Sequence, residues 1–222
     1  MCSKPLVSSL LLSLLPGCIE SGYLVTNLAG DPVVSRQSTT QVAGLRYTNH
    51  RAATTVEETV PLRIAGPFSL GDRAKILRAV NEWNVALNGS VRFAIVDDEA
   101  APPTDSRQPQ PWTVMAATGV GPRVAPGPTI ALAHTLAVPG AGGLMIVYLD
   151  RIGRRDLGGV IMHELGHVLG LGHGEKGLMS ARYHPTDQQC VDKVTVAAVA
   201  AKRRLPMNQL NWCEANVAST AR

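Results

Sequence analysis

The sequence predicts a mixed α/β fold in a single domain, and two observations support this prediction. Segments with the alternating or continuous apolar pattern of strands, at 59–65, 91–96 and 143–150, are separated by longer segments with helical spacing. Hydrophobic residues make up 45% of the 222 residues, which is enough for a sizeable core, and only 4% are aromatic, so that core must be aliphatic. The sequence shows no internal repeat and no sign of a second domain.

The first part of the domain has the pattern strand, helix, strand. Residues 59–65 alternate as expected for a first strand, and 91–96 form a second. The helix between them is expected to begin near Leu70, with Asp72 as its N-cap, and to stop at the Asn-Gly pair 88–89. Its apolar residues recur at helical spacing and should face the core: Ile76, Leu77, Val80, Trp83 and Leu87.

A proline-rich loop and three further strands are predicted in the middle of the chain. Residues 97–111 contain four prolines and form the loop. The acidic cluster at 97–99 could bind calcium, but a solvated strand end is favoured because so few ligands are fixed. Strands are expected at 112–118, 129–136 and 143–150, and the last is so continuously apolar that it should lie inside the sheet.

Two helices are predicted in the last part of the domain. Asp156 is expected to cap the first, whose apolar face should pack on the sheet through Leu157, Val160, Ile161, Leu165, Val168 and Leu169. Thr186 and Gln189 form a possible capping box, from which a last helix should run to about Arg204. The residues of this helix expected to point inward are Val191, Val194, Ala198 and Val199.

The stretch HELGHVLGLGH, from His163 to His173, has the spacing of a metal site. A helix places residues i and i+4 on one face, so His163 and His167 can bind one ion. Gly170 can adopt the left-handed conformation that ends a helix, and a turn there is needed to return His173 to the ion. Three nitrogen ligands leave one position open for water, as in catalytic zinc sites, and Glu164 can reach that water without being a ligand. The alternative of three unrelated histidines is disfavoured because five positions of the pattern are fixed.

The pattern H-E-x-x-H-x-x-G-x-x-H, with Met179 shortly downstream, resembles the metzincin clan of zinc metalloproteases. The resemblance implies a mostly parallel twisted sheet with an antiparallel edge strand and three main helices. It also implies one catalytic Zn²⁺, with Glu164 as general base in the hydrolysis of peptide bonds. Met179 would be the methionine of the Met-turn beneath the metal, and the alternative for it is an ordinary core methionine.

Two further stretches resemble the matrixin, or matrix metalloprotease-like, branch. Residues 131–143 (ALAHTLAVPGAGG) are similar to the Leu-Ala-His-Ala segment that forms the edge strand and the upper rim of the cleft. This implies that Leu132 and Ala133 offer backbone groups to an extended substrate. Tyr183 follows Met179 at the matrixin spacing and would help to wall the S1′ pocket, although Ala181 stands where matrixins have proline. Tyr183 is expected to bind substrate and not zinc.

The structural zinc of matrixins is not expected in this chain. His134 matches one of its ligands, but the paired strand has Val147 and Tyr148 where another histidine would stand. Asp150 is followed by Arg151 instead of further acids, so calcium binding is left open.

The N-terminus predicts export. Residues 1–17 have one positive charge followed by a short apolar run, which is the layout of a secretory signal. The run ends in Leu-Pro-Gly before Cys18 and resembles a bacterial lipobox, with Pro16 as a departure, so Cys18 is expected to carry lipid. The alternative is a plain signal peptide cut nearby. Residues 18–57 should be a tether or an extension packed on the domain, and residues 58–222 the catalytic domain.

The four cysteines fit the same interpretation. Cys2 would leave with the signal, and if Cys18 is lipidated, Cys190 and Cys213 remain as a disulfide pair, which export permits. The protein would then be a bacterial envelope lipoprotein at the outer membrane or cell surface, and otherwise secreted.

Charge and motif together predict the functional class. The net charge is +4 with no dense basic run, so nucleic acid is not an expected partner. The expected function is a zinc endopeptidase, active as a monomer on peptide or protein substrates. The alternative is a zinc-bearing surface module without peptidase activity, acting in adhesion or binding.

Overall fold

A computed structural model describes residues 45–51, 58–96, 110–118, 130–138, 142–184 and 189–215. Its centre is a twisted five-stranded sheet in the order β3-β2-β4-β6-β5, with a separate two-stranded sheet of β1 and β7. Four of the five strands run parallel, and only β5 is antiparallel to its neighbour β6. The predicted sheet with an antiparallel edge strand is confirmed. The strands are β1 Leu45–Tyr47, β2 Glu58–Ala65, β3 Val91–Val96, β4 Trp112–Ala117, β5 Ala133–Ala137, β6 Gly143–Tyr148 and β7 Cys213–Ala215.

Three main helices accompany the sheet, together with one short helix. They are α1 Leu70–Leu87, α2 Leu149–Ile152, α3 Leu157–Val168 and α4 Lys193–Arg203, and a 3₁₀ turn follows at Met207–Gln209. Within the described residues, no helix combines the length and the apolar content that crossing a bilayer requires.

The helix α1 packs its apolar face against the core as predicted, with two corrections. Trp83 is fully buried, and its indole Nε1 donates to the backbone oxygen of Met162 at 2.8 Å, which joins α1 to α3. The N-cap is Ser69 and not Asp72, because Asp72 occupies the third helical position and exchanges capping-box hydrogen bonds with Ser69. Leu77 was expected in the core, but it is 47% exposed because it lies beside the buried stripe and not on it.

Two predicted strands have different ends in the structure. The strand expected at 129–136 is β5, which begins at Ala133 and ends at Ala137. The strand expected to reach Asp150 ends at Tyr148, where Leu149 and Asp150 begin the short helix α2. The acidic cluster at 97–99 lies outside the described residues, so the calcium question stays a prediction there.

The helix α4 begins later than predicted, and its buried face is shifted. Asp192 is the N-cap, and its Oδ1 accepts from the backbone nitrogen of Thr195 at 2.9 Å. Val194 and Ala198 were expected inside, but Val194 is 75% exposed and Ala198 is exposed as well. Val191 lies before the helix and so does not mark its buried stripe, which consists of Thr195, Val196, Val199 and Ala200 at spacings of three to five residues. Thr186, the predicted cap, lies outside the described residues.

The described part of the N-terminal segment packs on the domain. β1 pairs antiparallel with β7, and the hydroxyl of Tyr47 accepts from the backbone nitrogen of Val191 at 3.0 Å. The backbone nitrogen of His50 donates to Asn211 Oδ1 at 2.8 Å. Residues 45–51 therefore pack on the domain, whereas the rest of 18–57 lies outside the described residues, and its role as tether or extension stays a prediction. The predicted signal and Cys18 lie outside the described residues.

Candidate metal centre

The metal helix α3 begins at a strong cap. Both carboxylate oxygens of Asp156 accept backbone hydrogen bonds, from Gly158 at 3.0 Å and from Gly159 at 3.1 Å. The same carboxylate forms an ion pair with Arg78 of α1. The helix start is thus anchored to a neighbouring element, and every described residue of its predicted apolar face is buried.

The structure brings His163, His167 and His173 together. One ring nitrogen from each lies within 4.8 Å of the others, so the three imidazoles can share one ion. The Nε2 atoms of His163 and His167 are 3.1 Å apart. Two ligands of a tetrahedral zinc ion with bonds of about 2.0–2.1 Å are separated by roughly 3.3 Å, so this spacing fits zinc.

Backbone carbonyls hold two of the rings in the tautomer that a metal needs. His163 Nδ1 donates to the oxygen of Leu178 at 2.8 Å, and His167 Nδ1 donates to the oxygen of Leu171 at 2.8 Å. A carbonyl can only accept, so each Nδ1 carries the proton and each Nε2 presents a lone pair to the site. Burial, and after it the neighbouring His167 and His173, lower the pKa of His163 to about 3, which keeps this ring neutral.

The turn after α3 returns the chain to the site. Gly170 has φ +88°, and its backbone nitrogen donates to the oxygen of His167 at 2.9 Å. The next residue, Leu171, donates to the oxygen of Gly166 at 3.0 Å and closes the helix end. A residue with a side chain would be strained at this φ, so glycine is what allows His173 to reach the other two histidines.

Glu164 lies beside the three histidines and is fully buried. Its Oε2 accepts from the hydroxyl of Thr135 at 2.5 Å, whereas its Oε1 is buried and has no hydrogen-bond partner among the described residues. Burial raises the pKa of Glu164, and the nearby His167 and the Thr135 hydrogen bond partly offset this. A buried carboxylate with one unpartnered oxygen next to three imidazoles is the arrangement expected of a proton acceptor beside a metal. One divalent ion with this nitrogen donor set is best assigned as zinc.

Met179 packs directly beneath the metal helix. A Cβ atom at Gly166 would lie 2.3 Å from its sulfur, so any side chain at this position would require the end of the Met179 side chain to move. The preceding residue, Leu178, links the same turn to α4, because its backbone nitrogen donates to Asp192 Oδ2 at 2.9 Å. The backbone of Leu178 therefore connects Asp192 to His163 through its N–H and its carbonyl, a link that sequence analysis did not find because Asp192 lies 14 residues beyond Leu178.

Of the three predicted substrate-binding residues, Leu132, Ala133 and Tyr183, only Ala133 directs its backbone groups to the outer edge of β5. The carbonyl of Leu132 accepts from the backbone nitrogen of Tyr148 at 2.9 Å, so it is already used within the sheet. Successive residues of a strand direct their backbone groups to opposite sides, so those of Ala133 face away from β6, toward the edge of β5 that no described strand covers and that we call the free edge. Tyr183 is buried, and its hydroxyl accepts from the backbone nitrogen of Asp156 at 3.0 Å, which ties the loop after Met179 to the start of α3.

His134 and the cysteines complete the set of predicted residues. His134 is buried in edge-on contact with Tyr148, and within the described residues it belongs to no cluster of three metal-ligating side chains. Cys190 and Cys213 form a disulfide with their Cα atoms 6.2 Å apart, which joins the segment before α4 to β7.

The chain matches no known family model and no curated protein. Among solved structures it is similar to metalloproteinase-II from Bacteroides fragilis (13% identity, TM-score 0.42), over 68% of this chain and 56% of that one. It is also similar to high choriolytic enzyme 1, a hatching enzyme zinc-protease from the medaka Oryzias latipes (19% identity, TM-score 0.32), over 62% of this chain and 54% of that one. A third similar structure is archaemetzincin from Methanopyrus kandleri (14% identity, TM-score 0.38), over 68% of this chain and 98% of that one. The chain therefore spans little more than half of the first two proteins.

Proposed function

We propose that this protein is a zinc-dependent endopeptidase. The observation that carries the proposal is the convergence of three imidazoles beside a buried carboxylate that has one unpartnered oxygen. His163, His167 and His173 would hold the ion, and Glu164 would be the general base. The match of these residues to the metzincin pattern H-E-x-x-H-x-x-G-x-x-H supports the same assignment.

The residues of the chain divide the reaction between them. When bound, zinc supplies Lewis-acid polarisation of a carbonyl and lowers the pKa of a water molecule. Glu164 Oε1 accepts the proton of the attacking water and passes it to the nitrogen of the leaving amine. In the zinc-free protein, burial raises the pKa of Glu164, which favours proton uptake by its carboxylate. The carbonyls of Leu178 and Leu171 keep the ligand rings oriented throughout.

The proposed substrate is an extended peptide that adds to the free edge of β5. The backbone groups of Ala133 face that edge, so they are the groups available for pairing with a peptide strand. The resemblance of residues 131–143 to the matrixin segment that forms the upper rim of the cleft supports this assignment, and the matrixin-like subtype is part of the proposal. Tyr183 would contribute to the S1′ wall through its ring, since its hydroxyl is bonded to Asp156.

Replacement of the base separates catalysis from metal binding. Glu164→Gln should retain one zinc per chain and lower kcat for a casein-type substrate by about 10³-fold, because the amide cannot accept the proton. Glu175→Gln, an exposed site two residues after His173, is the matched control and should cleave like the wild type. If Glu164→Gln cleaves as fast as the wild type, the mechanism is wrong. If the fully zinc-loaded wild type cleaves nothing in a broad peptide library, the protein is a binding module instead.

We also propose that the protein is exported and anchored by lipid on Cys18. The disulfide between Cys190 and Cys213 supports an oxidising compartment, because such bonds seldom persist in the cytosol. Mass spectrometry of the mature protein should show a diacylglyceryl group on an N-terminal Cys18. A mature N-terminus at another residue would contradict the anchor.

A further inference from the structure

We propose that Thr135 is a positioning residue that orients the carboxylate of Glu164, so that the strand that pairs with the substrate also aligns the base. The inference rests on the proposed peptidase function. It concerns a residue that the metal pattern does not contain, on a different element from the three histidines. The contact that carries it is the 2.5 Å hydrogen bond from Thr135 Oγ1 to Glu164 Oε2.

This contact gives the two carboxylate oxygens different roles. Oε2 accepts the threonine hydroxyl, whereas Oε1 is buried without a hydrogen-bond partner in the described part of the chain. An O–H···O⁻ hydrogen bond of about 2.5–2.7 Å is charge-assisted and stronger than a neutral one, so it can fix the rotation of the carboxylate. Oε1 is then the oxygen left to accept a proton.

The register of the edge strand explains how Thr135 reaches the base. Thr135 pairs with Met145, and both Met145 and Val147 are fully buried on the sheet face turned toward the core cluster that includes the apolar residues of α3. The side chain of Thr135 shares that face, because it lies opposite Met145 across the β5–β6 pair. The hydroxyl therefore crosses from the edge strand to the metal helix, between residues 29 positions apart in the sequence.

The backbone of the same residue is directed toward the substrate. Leu132 is bonded to β6 through its carbonyl, so alternation directs the backbone groups of Ala133 and Thr135 to the free edge. A peptide added there would contact the backbone of Thr135 while its side chain holds Glu164. One strand thus sets the positions of both the scissile peptide and the base, which is the alignment that efficient proton transfer requires.

The kinetic test compares three variants in the full-length zinc protein. Thr135→Val keeps the branched shape and removes the hydroxyl, so kcat should fall about 10-fold with KM within about twofold. Thr135→Ser keeps the hydroxyl and should retain at least half of the wild-type kcat. The control is Thr113→Val, the same change at a half-buried threonine of β4, which should leave both constants unchanged. A Thr135→Val enzyme with wild-type kcat, or a Ser variant as slow as Val, would overturn the inference.

A second readout does not depend on activity. In the zinc-free protein, Thr135→Val should lower the Tm by about 2–4 °C, because the buried carboxylate loses its partner. In a Glu164→Ala background, Thr135→Val should lower the Tm by less than about 1 °C. Equal losses of Tm in the two backgrounds would show that Thr135 does not stabilise the protein through Glu164. If the wild type is active and Thr135→Val is equally active, the positioning role of Thr135 is wrong and the peptidase proposal stands. A zinc-loaded wild type that cleaves nothing removes the peptidase proposal and this inference with it.

Discussion

Two buried carboxylates in this protein have similar surroundings but different partners. Glu164 at the metal centre and Glu82 in α1 are 0% and 7% exposed, and burial raises the pKa of each. Glu82 is hydrogen-bonded by the hydroxyl of Tyr47 and is close to the charge of Arg78. Glu164 has one oxygen bonded to Thr135 and one without a described partner.

The difference distinguishes a carboxylate that links distant segments from the carboxylate that we propose as the catalytic base. At Glu82, Tyr47 also accepts from the backbone of Val191, so the contact joins the N-terminal segment, α1 and the segment before α4. We call this group the terminal clamp, defined as Tyr47, Glu82, Val191 and the Cys190–Cys213 disulfide. An unpartnered buried oxygen costs stability, and Glu164 has one at the atom that would accept the proton in the proposed reaction.

The largest effect is expected from removing a metal ligand. His173→Ala should lower the zinc content from one per chain toward zero in dialysed protein and reduce cleavage by at least about 10³-fold, because two imidazoles hold zinc weakly. The matched control is His134→Ala, which removes a buried histidine that belongs to no metal-ligating cluster in the described residues. Metal analysis and peptide cleavage measure both. A His173→Ala protein with full zinc would show that the third imidazole is not a ligand.

Removing the disulfide of the terminal clamp should lower the stability of the protein without affecting zinc binding or catalysis. Its cysteines are 23 residues apart, so replacing both by Ala should lower the free energy of unfolding by about 3 kcal/mol. The zinc content and the kcat of the folded fraction should be unchanged. Urea unfolding and peptide cleavage on the same samples make the comparison. A loss of zinc without a loss of stability would contradict the separation of the two regions.

A smaller loss is expected from Tyr47→Phe. The change removes the hydroxyl that serves Glu82 and Val191 and leaves a buried carboxylate without that donor, at a cost of about 1–3 kcal/mol. Urea unfolding should show this loss, whereas kcat should match the wild type. An unchanged free energy of unfolding would mean that the hydroxyl contributes nothing to the clamp.

The smallest effect is a pH dependence at Glu82. Burial raises its pKa in the folded protein above the ordinary 4.5, so the folded state holds a proton that the unfolded state releases. This contribution to the free energy of unfolding is present below the unfolded pKa and is lost as pH rises through the folded pKa. Glu82→Gln should therefore gain stability relative to the wild type as pH rises from about 4 to 8. Exposed Glu175→Gln is the control, and a Glu82→Gln difference that stays constant with pH would contradict the shift.

The parts of the structure that sequence analysis predicted are those set by local spacing. Asp156 as a cap and the convergence of His163, His167 and His173 follow from helical period and one glycine turn. The mostly parallel sheet followed from resemblance, and its strand order could not be deduced from apolar pattern alone.

The parts that were missed depend on contacts between distant segments or on the choice of cap. The burial of α4 was misplaced because Val191, which precedes the cap Asp192, was used to mark the buried stripe, although the helix begins only at Lys193. Thr135 and Glu164 lie 29 residues apart, and the only available signal was that Thr135 follows His134 on the predicted edge strand. The role of Tyr183 at the start of α3 had no sequence signal, because its partner is a backbone nitrogen.

The most direct test is X-ray absorption at the zinc edge on the zinc-loaded protein, with His173→Ala alongside. We expect one ion with three imidazole nitrogens at about 2.0–2.1 Å and one further light-atom ligand, and two imidazoles at most in the variant. A wild-type ion bound by fewer than three imidazoles, or by four protein ligands that leave no open position, would contradict the catalytic zinc centre on which the whole account depends.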